Sequence, residues 1–338
     1  MAQTESLYPF VSVCTPTFNR RPFISTLIRC FNHQTYPKDR IEWIVIDDGT
    51  DPVEDLFVGI PQVKYFKYSD KMTLGRKRNV MHEKTRGDII LYMDDDDYYP
   101  PERISHAVDM LQKNPTALCA GSSEMYIYFK HIDKMVVFGP YAPRHSTAAT
   151  FAFRRQLLFQ TKYNESSCLA EEKEFLKNYT IPFVQLDPLK SILVFSHHHN
   201  SFDKKTLLNQ PPNQFMKMSE KTIDEFIKEP EIKKFFLDDI DDALEKYREG
   251  DPIFKIDVFE QITALTQKRV IAAKEKEIED CKSKMEAMSN QFLRQYSMLQ
   301  EVLKENATLK EKNLYLEDKL KEIIKAKVAE LKALKSEN

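Results

Sequence analysis

Residues 91–103 read LYMDDDDYYPPER, four consecutive carboxylates, Asp94 to Asp97, directly behind an apolar run with the pattern of a buried strand. Like charges at this spacing repel one another and lose hydration wherever they approach a core, so an opposing charge is required. A divalent cation supplies it. Hard oxygen ligands on a loop suit Mg²⁺ or Mn²⁺, ions that commonly bind through one or two carboxylates while phosphate oxygens complete the shell. The plainer alternative is an acidic loop or a helix cap before Pro100-Pro101-Glu102. Capping accounts for one aspartate, Asp97, and not for four.

Short β-rich runs and helical patterns alternate ahead of and through this motif. Strands are expected at Phe10 to Cys14, Ile41 to Asp47, near Val63 to Tyr68 and at Asp88 to Met93, with helices from about Pro22 to Gln34 and Leu74 to Lys84. That alternation predicts an α/β fold, a mainly parallel sheet flanked by helices on both faces, in which ligands gather beyond the carboxyl ends of the strands. The polar clusters fall at those ends: Thr15 to Arg20, Asp47-Asp48-Gly49, and Asp94 to Asp97.

Lys and Arg total 50 against 52 Asp and Glu, a formal net charge of -2, so no whole-chain field points to nucleic acid. The five cysteines are scattered without metal-type or disulfide-type spacing, which favours a reducing compartment. The N-terminus has no basic head leading into an apolar stretch, and no window reaches the length of a membrane span. A soluble, cytoplasmic protein is expected, in a bacterium or, if the chain is viral, in its host.

All seven glycines lie at or before Gly250, and Gly250-Asp251-Pro252 is a strong breaker. Beyond it a heptad pattern sets in. Ile271, Ile278, Met285, Phe292, Leu299, Leu320 and Leu334 share one position, and Cys281, Met288, Val302, Leu309, Leu316 and Ile323 lie three residues on. Asn306 and Asn313 fall on the same seam, where a polar residue selects register at a cost in stability, and Gln295, Lys327 and Glu330 weaken it further. The expected organisation is a catalytic domain over 1–205, a helical bracing region over 206–262 with Pro211-Pro212 near its start, and a coiled coil over 263–338 that makes the chain a homo-oligomer. A long solvated helix is the alternative.

In order and spacing, VSVCTPTFNR (11–20), IEWIVIDDGT (41–50), GRKRNV (75–80) and GDIILYMDDDDYYPPER (87–103) resemble the family 2 glycosyltransferases of GT-A fold, over roughly residues 8–205. The resemblance implies that Thr15, Pro16 and Thr17, with Asn19 and Arg20, form the loop where the nucleotide docks. It implies that Asp47 reads the base, a uracil in uridine-nucleotide enzymes, and that Asp48 completes the turn. A fixed carboxylate discriminates by leaving a buried acceptor unpaired when the wrong base binds.

Gly75, Arg76 and Arg78 match the family's basic segment near the donor, Arg76 having a better claim than Lys77 against the alternative of a solvated helix face. Asp94 and Asp96 match the outer aspartates of the Asp-x-Asp motif, Asp96 being the strongest metal ligand, and Asp95 lies over the sugar hydroxyls. SSCLAEEKEFL (166–176) resembles the segment that supplies the catalytic base, with Glu171-Glu172 in place of the usual Glu-Asp. Glu172 is favoured by position and Glu171 stays open, as does a helix start assisted by its dipole. In VFSHHHNSFD (194–203) one histidine, His198 or His199, is a candidate to join the metal, against surface histidines as the alternative. Phe151, Phe153 and Tyr163 are candidate stacking surfaces for an acceptor sugar, against a place in the core.

The resemblance implies metal-dependent transfer, with inversion, from a nucleotide-diphosphate donor, a UDP-sugar first, to a hydroxyl of a glycan or protein. Two other readings compete. A coiled-coil scaffold with a degenerate transferase domain would break the metal motif, which is intact here. A sugar-phosphate nucleotidyltransferase would place a glycine-rich loop after the first strand, and TPTFNRR has none.

Overall fold

A computed structural model describes residues 8–169, 171–209 and 213–336, the last four of these as backbone only. Pro211 and Pro212 lie outside the described residues, as does the side chain of Leu334. The chain divides into two compact units, one through Thr263 and the other from Ala264.

In the first unit the strongly apolar runs become the centre of a sheet. β1 (Val11–Thr17), β2 (Ile41–Asp47), β3 (Val63–Lys67) and β4 (Ile89–Tyr92) run parallel in the order β3-β2-β1-β4. Every residue of β2 and β4 is buried, as the near-continuous apolar character of a strand covered on both faces requires. Strand alternation sends Val11, Val13, Trp43, Val45 and Leu91 into one core and Cys14, Ile44, Ile46, Ile90 and Tyr92 into another. Thr17 pairs with Asp47 and Cys14 with Tyr92, so three strands end on the same edge of the sheet.

Helices cover these faces. α1 (Arg21–Asn32) starts with a proline in its first turn and buries Phe23, Ile24, Leu27, Cys30 and Phe31 at helical spacing. α2 (Leu74–Lys84) is capped by Thr73, whose hydroxyl accepts the Arg76 amide. Gly75 is dictated by close approach, since a Cβ there would stand 2.0 Å from the Asn164 carbonyl oxygen. α3 (Arg103–Lys113) follows β4. Its buried Arg103 donates from Nη2 to the Phe151 carbonyl at 2.9 Å and the Tyr92 carbonyl at 3.3 Å, fixing the strand end behind the acidic run.

Short strands extend this frame beyond what period-2 patterning signals. β5 (Cys119–Gly121), β8 (Ala152–Arg154) and β9 (Phe183–Gln185) complete seven strands in the order β3-β2-β1-β4-β8-β5-β9, with β8 antiparallel to both neighbours. β6 (Met125–Phe129), β7 (Lys134–Phe138), β10 (Leu193–Ser196) and β11 (Met216–Met218) form a second, four-stranded sheet. α4 (Glu172–Phe175) is a single turn. The segment over 206–262 adds β11 and then α5 (Ile223–Phe226), α6 (Pro230–Lys234) and α7 (Ile240–Glu245). It places Phe226, Ile232, Phe236, Ile240 and Leu244 in the same core as Val11.

α8 (Ile256–Ser336) begins in the first unit and makes up the second. Along it Ile271, Ile278, Met285, Met288, Phe292, Leu299, Val302, Leu309, Leu316, Leu320 and Ile323 are exposed. Among the described residues no helix is long and apolar enough to cross a membrane. The five cysteines are free thiols.

Candidate functional site

The strand ends frame a cleft of roughly 300 Å³. The β1–α1 loop supplies Pro16, Thr17, Phe18 and Arg20, α2 supplies Lys77 and Arg78, and the loop after β4 supplies Asp94, Asp95 and Asp96. Glu171 closes one side.

The remaining predicted residues of the β1 and β2 ends lie behind the cleft and hold it. Thr15 donates its hydroxyl to the Met93 carbonyl at 2.6 Å and accepts the Trp43 indole N–H at 2.9 Å, tying β1 to the acidic loop. Asn19, in the left-handed region at φ 52°, accepts the amides of Thr50 and Asp51 on Oδ1 and donates from Nδ2 to the Glu249 carbonyl at 2.8 Å. Asp47 accepts the Gly49 amide on Oδ1 and the Val53 amide and Tyr65 hydroxyl on Oδ2. Each of its oxygens thus has a partner within the chain, three of the roughly four hydrogen bonds a carboxylate can accept. Asp48 accepts the Met72 amide at 2.6 Å and pairs with the Lys77 ammonium.

That pair reverses the expected ranking on α2. Gly75, Lys77, Arg78, Met81 and His82 occupy the helix's buried face, so Lys77 and Arg78 point into the cleft while Arg76 is exposed to solvent. Arg78 is stacked 4.2 Å over the Tyr92 ring and donates from Nε to Glu171 Oε1 at 2.8 Å. Its Nη1 is buried without a partner, as is Nη1 of the equally buried Arg20.

The acidic run is poorly satisfied by comparison. Asp94 Oδ1 is buried with no hydrogen-bond partner, the Arg78 Nη2 lying 4.0 Å away. Burial raises the Asp94 carboxyl above its ordinary range, Arg78 opposing. Burial likewise pushes Asp95 up to about 7, with Arg20, at 3.5 Å, opposing and Asp96 reinforcing the shift. Asp97 does not cap a helix. α3 starts after Glu102, and Asp97 accepts the Phe195 amide instead.

Asp96 stands apart. Its Oδ2 lies 3.3 Å from His197 Nε2, 3.5 Å from Arg20 Nη2 and 3.5 Å from Asn200 Nδ2. Burial works against ionisation, but the His197 hydrogen bond and the Arg20 charge hold Asp96 well below the usual carboxylate range. Burial pushes His197 down to about 3, so its ring is neutral. The histidine at the aspartates is therefore His197, one position before those expected. His198 is exposed, and His199 is buried with Nδ1 unpartnered, beside the backbone of Gly250. Period-2 alternation sends 197 and 199 inward and 198 outward; the sequence does not say which inward one reaches the carboxylates.

Among the described residues no three His, Cys, Asp or Glu side chains form a closed metal cage. An ion that takes one or two carboxylates and completes its shell from phosphate oxygens needs none. A carboxylate and a neutral imidazole 3.3 Å apart, close to the separation of about 3 Å between adjacent ligands at bonds near 2.1 Å, suit such an ion.

The two glutamates divide. Glu171 is buried in its ion pair with Arg78 and lines the cleft. Glu172, at the first position of α4, is half-buried, and burial together with the Glu171 charge raises its carboxyl to about 7. Phe151, Phe153 and Tyr163 are fully buried in the core, Tyr163 stacked on Phe175 at 4.2 Å, and offer no stacking surface to a sugar. Absent from the sequence reading of the site are Ser201 and Phe202, which lie within VFSHHHNSFD, and Lys255, Asp257 and Val258, which line the cleft from beyond its motifs.

Residues 12–179 match the Glycosyl transferase family 2 model. The chain thus carries a family 2 glycosyltransferase domain. It is 28% identical over 116 residues to the poly(ribitol-phosphate) beta-N-acetylglucosaminyltransferase TarS of Staphylococcus aureus strain MW2, covering 30% of this chain and 19% of TarS. An uncharacterized glycosyltransferase of Haemophilus influenzae is 26% identical over 107 residues, 31% of this chain and 35% of that protein. The match therefore spans about a fifth and a third of these relatives. Similar solved structures include S. aureus TarS 1–349 at TM-score 0.45 and 19% identity, covering 55% of this chain and 60% of that one. Another is the mannosyltransferase PcManGT of Pyrobaculum calidifontis, in complex with GDP-Man and Mn²⁺, at TM-score 0.46 and 16% identity, covering 56% and 57%.

Proposed function

We propose that the chain transfers a sugar from a nucleotide-diphosphate donor to a hydroxyl of a glycan or protein, with inversion. The observation that carries this reading is the pairing of opposites in one cleft. Two buried guanidinium nitrogens without partners, Arg20 Nη1 and Arg78 Nη1, flank a carboxylate run that is itself short of partners. A diphosphate with a divalent cation completes both sets.

Asp96 and His197, with Asp94 nearby, would hold Mg²⁺ or Mn²⁺. Bound there, the ion supplies positive charge against the departing diphosphate. Arg20 and Arg78 add fixed charge where negative charge develops. Asp95, held by Arg20, is placed to accept hydrogen bonds from sugar hydroxyls. Glu172, with a proton affinity suited to neutral pH, takes the acceptor's proton as its oxygen attacks the anomeric carbon opposite the leaving group. The Glu171–Arg78 pair fixes the guanidinium.

A UDP-sugar is the first donor to test, in line with the N-acetylglucosaminyltransferase among the relatives. The test is binding and hydrolysis of UDP, GDP, dTDP and CMP and their sugar conjugates, with and without Mn²⁺, on wild type and Asp96→Asn. Metal-dependent binding of one nucleotide, lost in the variant, is expected. Binding of none would leave a scaffold with a degenerate transferase domain.

The exposed seam of α8 supports a second proposal, self-association through a coiled coil. A chain ending at Thr263 is expected to have a smaller oligomeric mass in solution than the full chain by more than the deleted residues. An unchanged oligomer number refutes the proposal.

A further inference from the structure

We infer that Lys255 and the first turn of α8 form a third wall of the cleft that binds the donor's diphosphate, a contribution from outside the family-matched residues 12–179. This inference rests on the donor reading above.

Lys255 lines the cleft, is only 8% exposed, and donates from Nζ to Ser201 Oγ at 2.6 Å. No carboxylate lies within 4.0 Å of that ammonium among the described residues. Burying an ammonium against a neutral hydroxyl is costly, and burial drives the lysine well below its ordinary range, the Arg20 charge adding to the effect and the Asp95 and Asp96 charges opposing it. An anion in the cleft removes that cost. Arg20 Nη1 and Arg78 Nη1, buried and unpartnered on the same cleft, ask for the same kind of ligand.

The wall is held from several sides. Asp257 pairs with Lys71 and accepts the Cys168 thiol. Gln261 accepts the amides of Cys168 and Leu169 on Oε1 at 2.7 and 3.1 Å and donates from Nε2 to the Ser166 carbonyl. Tyr247 donates its hydroxyl to Asp51 Oδ2 at 2.8 Å. Gly250 is pressed against Asn19, where a Cβ would stand 2.8 Å from the Asn19 carbonyl oxygen. These ties hold Lys255 in the wall of the cleft that Arg20 and the acidic run also line.

The test compares full-length wild type, Lys255→Met and Asp257→Asn for binding of UDP and GDP against uridine and guanosine, at one fixed Mn²⁺ concentration. Loss of a charge-assisted contact is expected to weaken the diphosphate about tenfold in Lys255→Met while the nucleoside binds as before. Asp257→Asn removes a partly exposed negative charge from the wall and is expected to tighten the diphosphate about threefold, again without effect on the nucleoside. A merely structural wall does not move the two ratios in opposite directions. If both variants keep the wild-type ratio of diphosphate to nucleoside affinity, the inference is overturned. If Lys255→Met does not fold, Asp257→Asn decides alone, and an unchanged or weakened diphosphate overturns it. Wild type that binds neither UDP nor GDP overturns the donor reading itself, a separate result.

Discussion

Two acidic runs end parallel strands of the same sheet, Asp47-Asp48 after β2 and Asp94 to Asp97 after β4, and their fates differ. Asp47 and Asp48 between them accept three backbone amides, a tyrosine hydroxyl and a lysine ammonium. The second run has more charge and fewer partners for each carboxylate, with one oxygen orphaned and three carboxyls raised by burial. A charged group whose needs are met inside the chain stabilises a turn, whereas one left short is stabilised by what binds. Family motifs treat both runs as donor-site residues; their hydrogen-bond accounts distinguish carboxylates largely satisfied within the chain from ones left short of partners.

That contrast can be broken at four points. The largest effect is expected from Asp48→Ala, which strands the buried Lys77 ammonium; urea denaturation should show a loss of about 3–5 kcal/mol. Asp94→Asn should do the reverse, leaving the urea midpoint unchanged or higher because burial already disfavours the charge it removes, while lowering donor turnover about 10²–10³-fold. Equal loss of stability in the two variants would erase the distinction.

Glu172 sharpens it through pH. With its carboxyl at about 7, transfer should rise as pH passes through about 7 and the base ionises, and Glu172→Gln should abolish transfer while sparing donor binding. The folded state holds this proton more tightly than an unfolded chain at the ordinary 4.5, so the stability it contributes is lost as pH rises from about 4.5 to about 7. Glu172→Gln should therefore be more stable than wild type at pH 8, a difference that vanishes at pH 4. The smallest effect belongs to Arg76→Ala, a solvent-exposed side chain, expected within about 0.5 kcal/mol in stability and without change in donor affinity.

Much of the frame was legible in advance, because β1, β2 and β4 are short β-rich runs and α2 carries a helical pattern from Leu74 to Lys84. The reversed strand β8 was not, since a run of three residues carries no period, and neither was the four-stranded sheet, whose β6 and β7 are five-residue runs outside the strands expected. The lining of the cleft was legible at Arg20, Arg78 and Asp94 to Asp96, where residue type and strand-end position agree. It was misread where phase matters. Arg76 and Lys77 are adjacent, and only the packing of α2 decides which is inside. Three consecutive histidines pose the same problem. Phe151, Phe153 and Tyr163 have the composition of a sugar platform and the environment of a core. Lys255 carries no local signal at all, being one lysine in a charged stretch brought to the cleft by the tertiary fold.

The wall around Lys255 also has a meaning in time. The bond from Asn19 to Glu249 closes a separation of 230 residues, and the pair Lys71–Asp257 one of 186. Loops of that length carry the largest closure entropy, and non-local contacts slow folding. During synthesis the N-terminal strands emerge first, with their acidic run complete and its third wall still unmade. The cleft becomes whole only when the chain has grown past Gln261, so capacity to hold a diphosphate should appear late and report completion of the whole unit rather than of its central sheet.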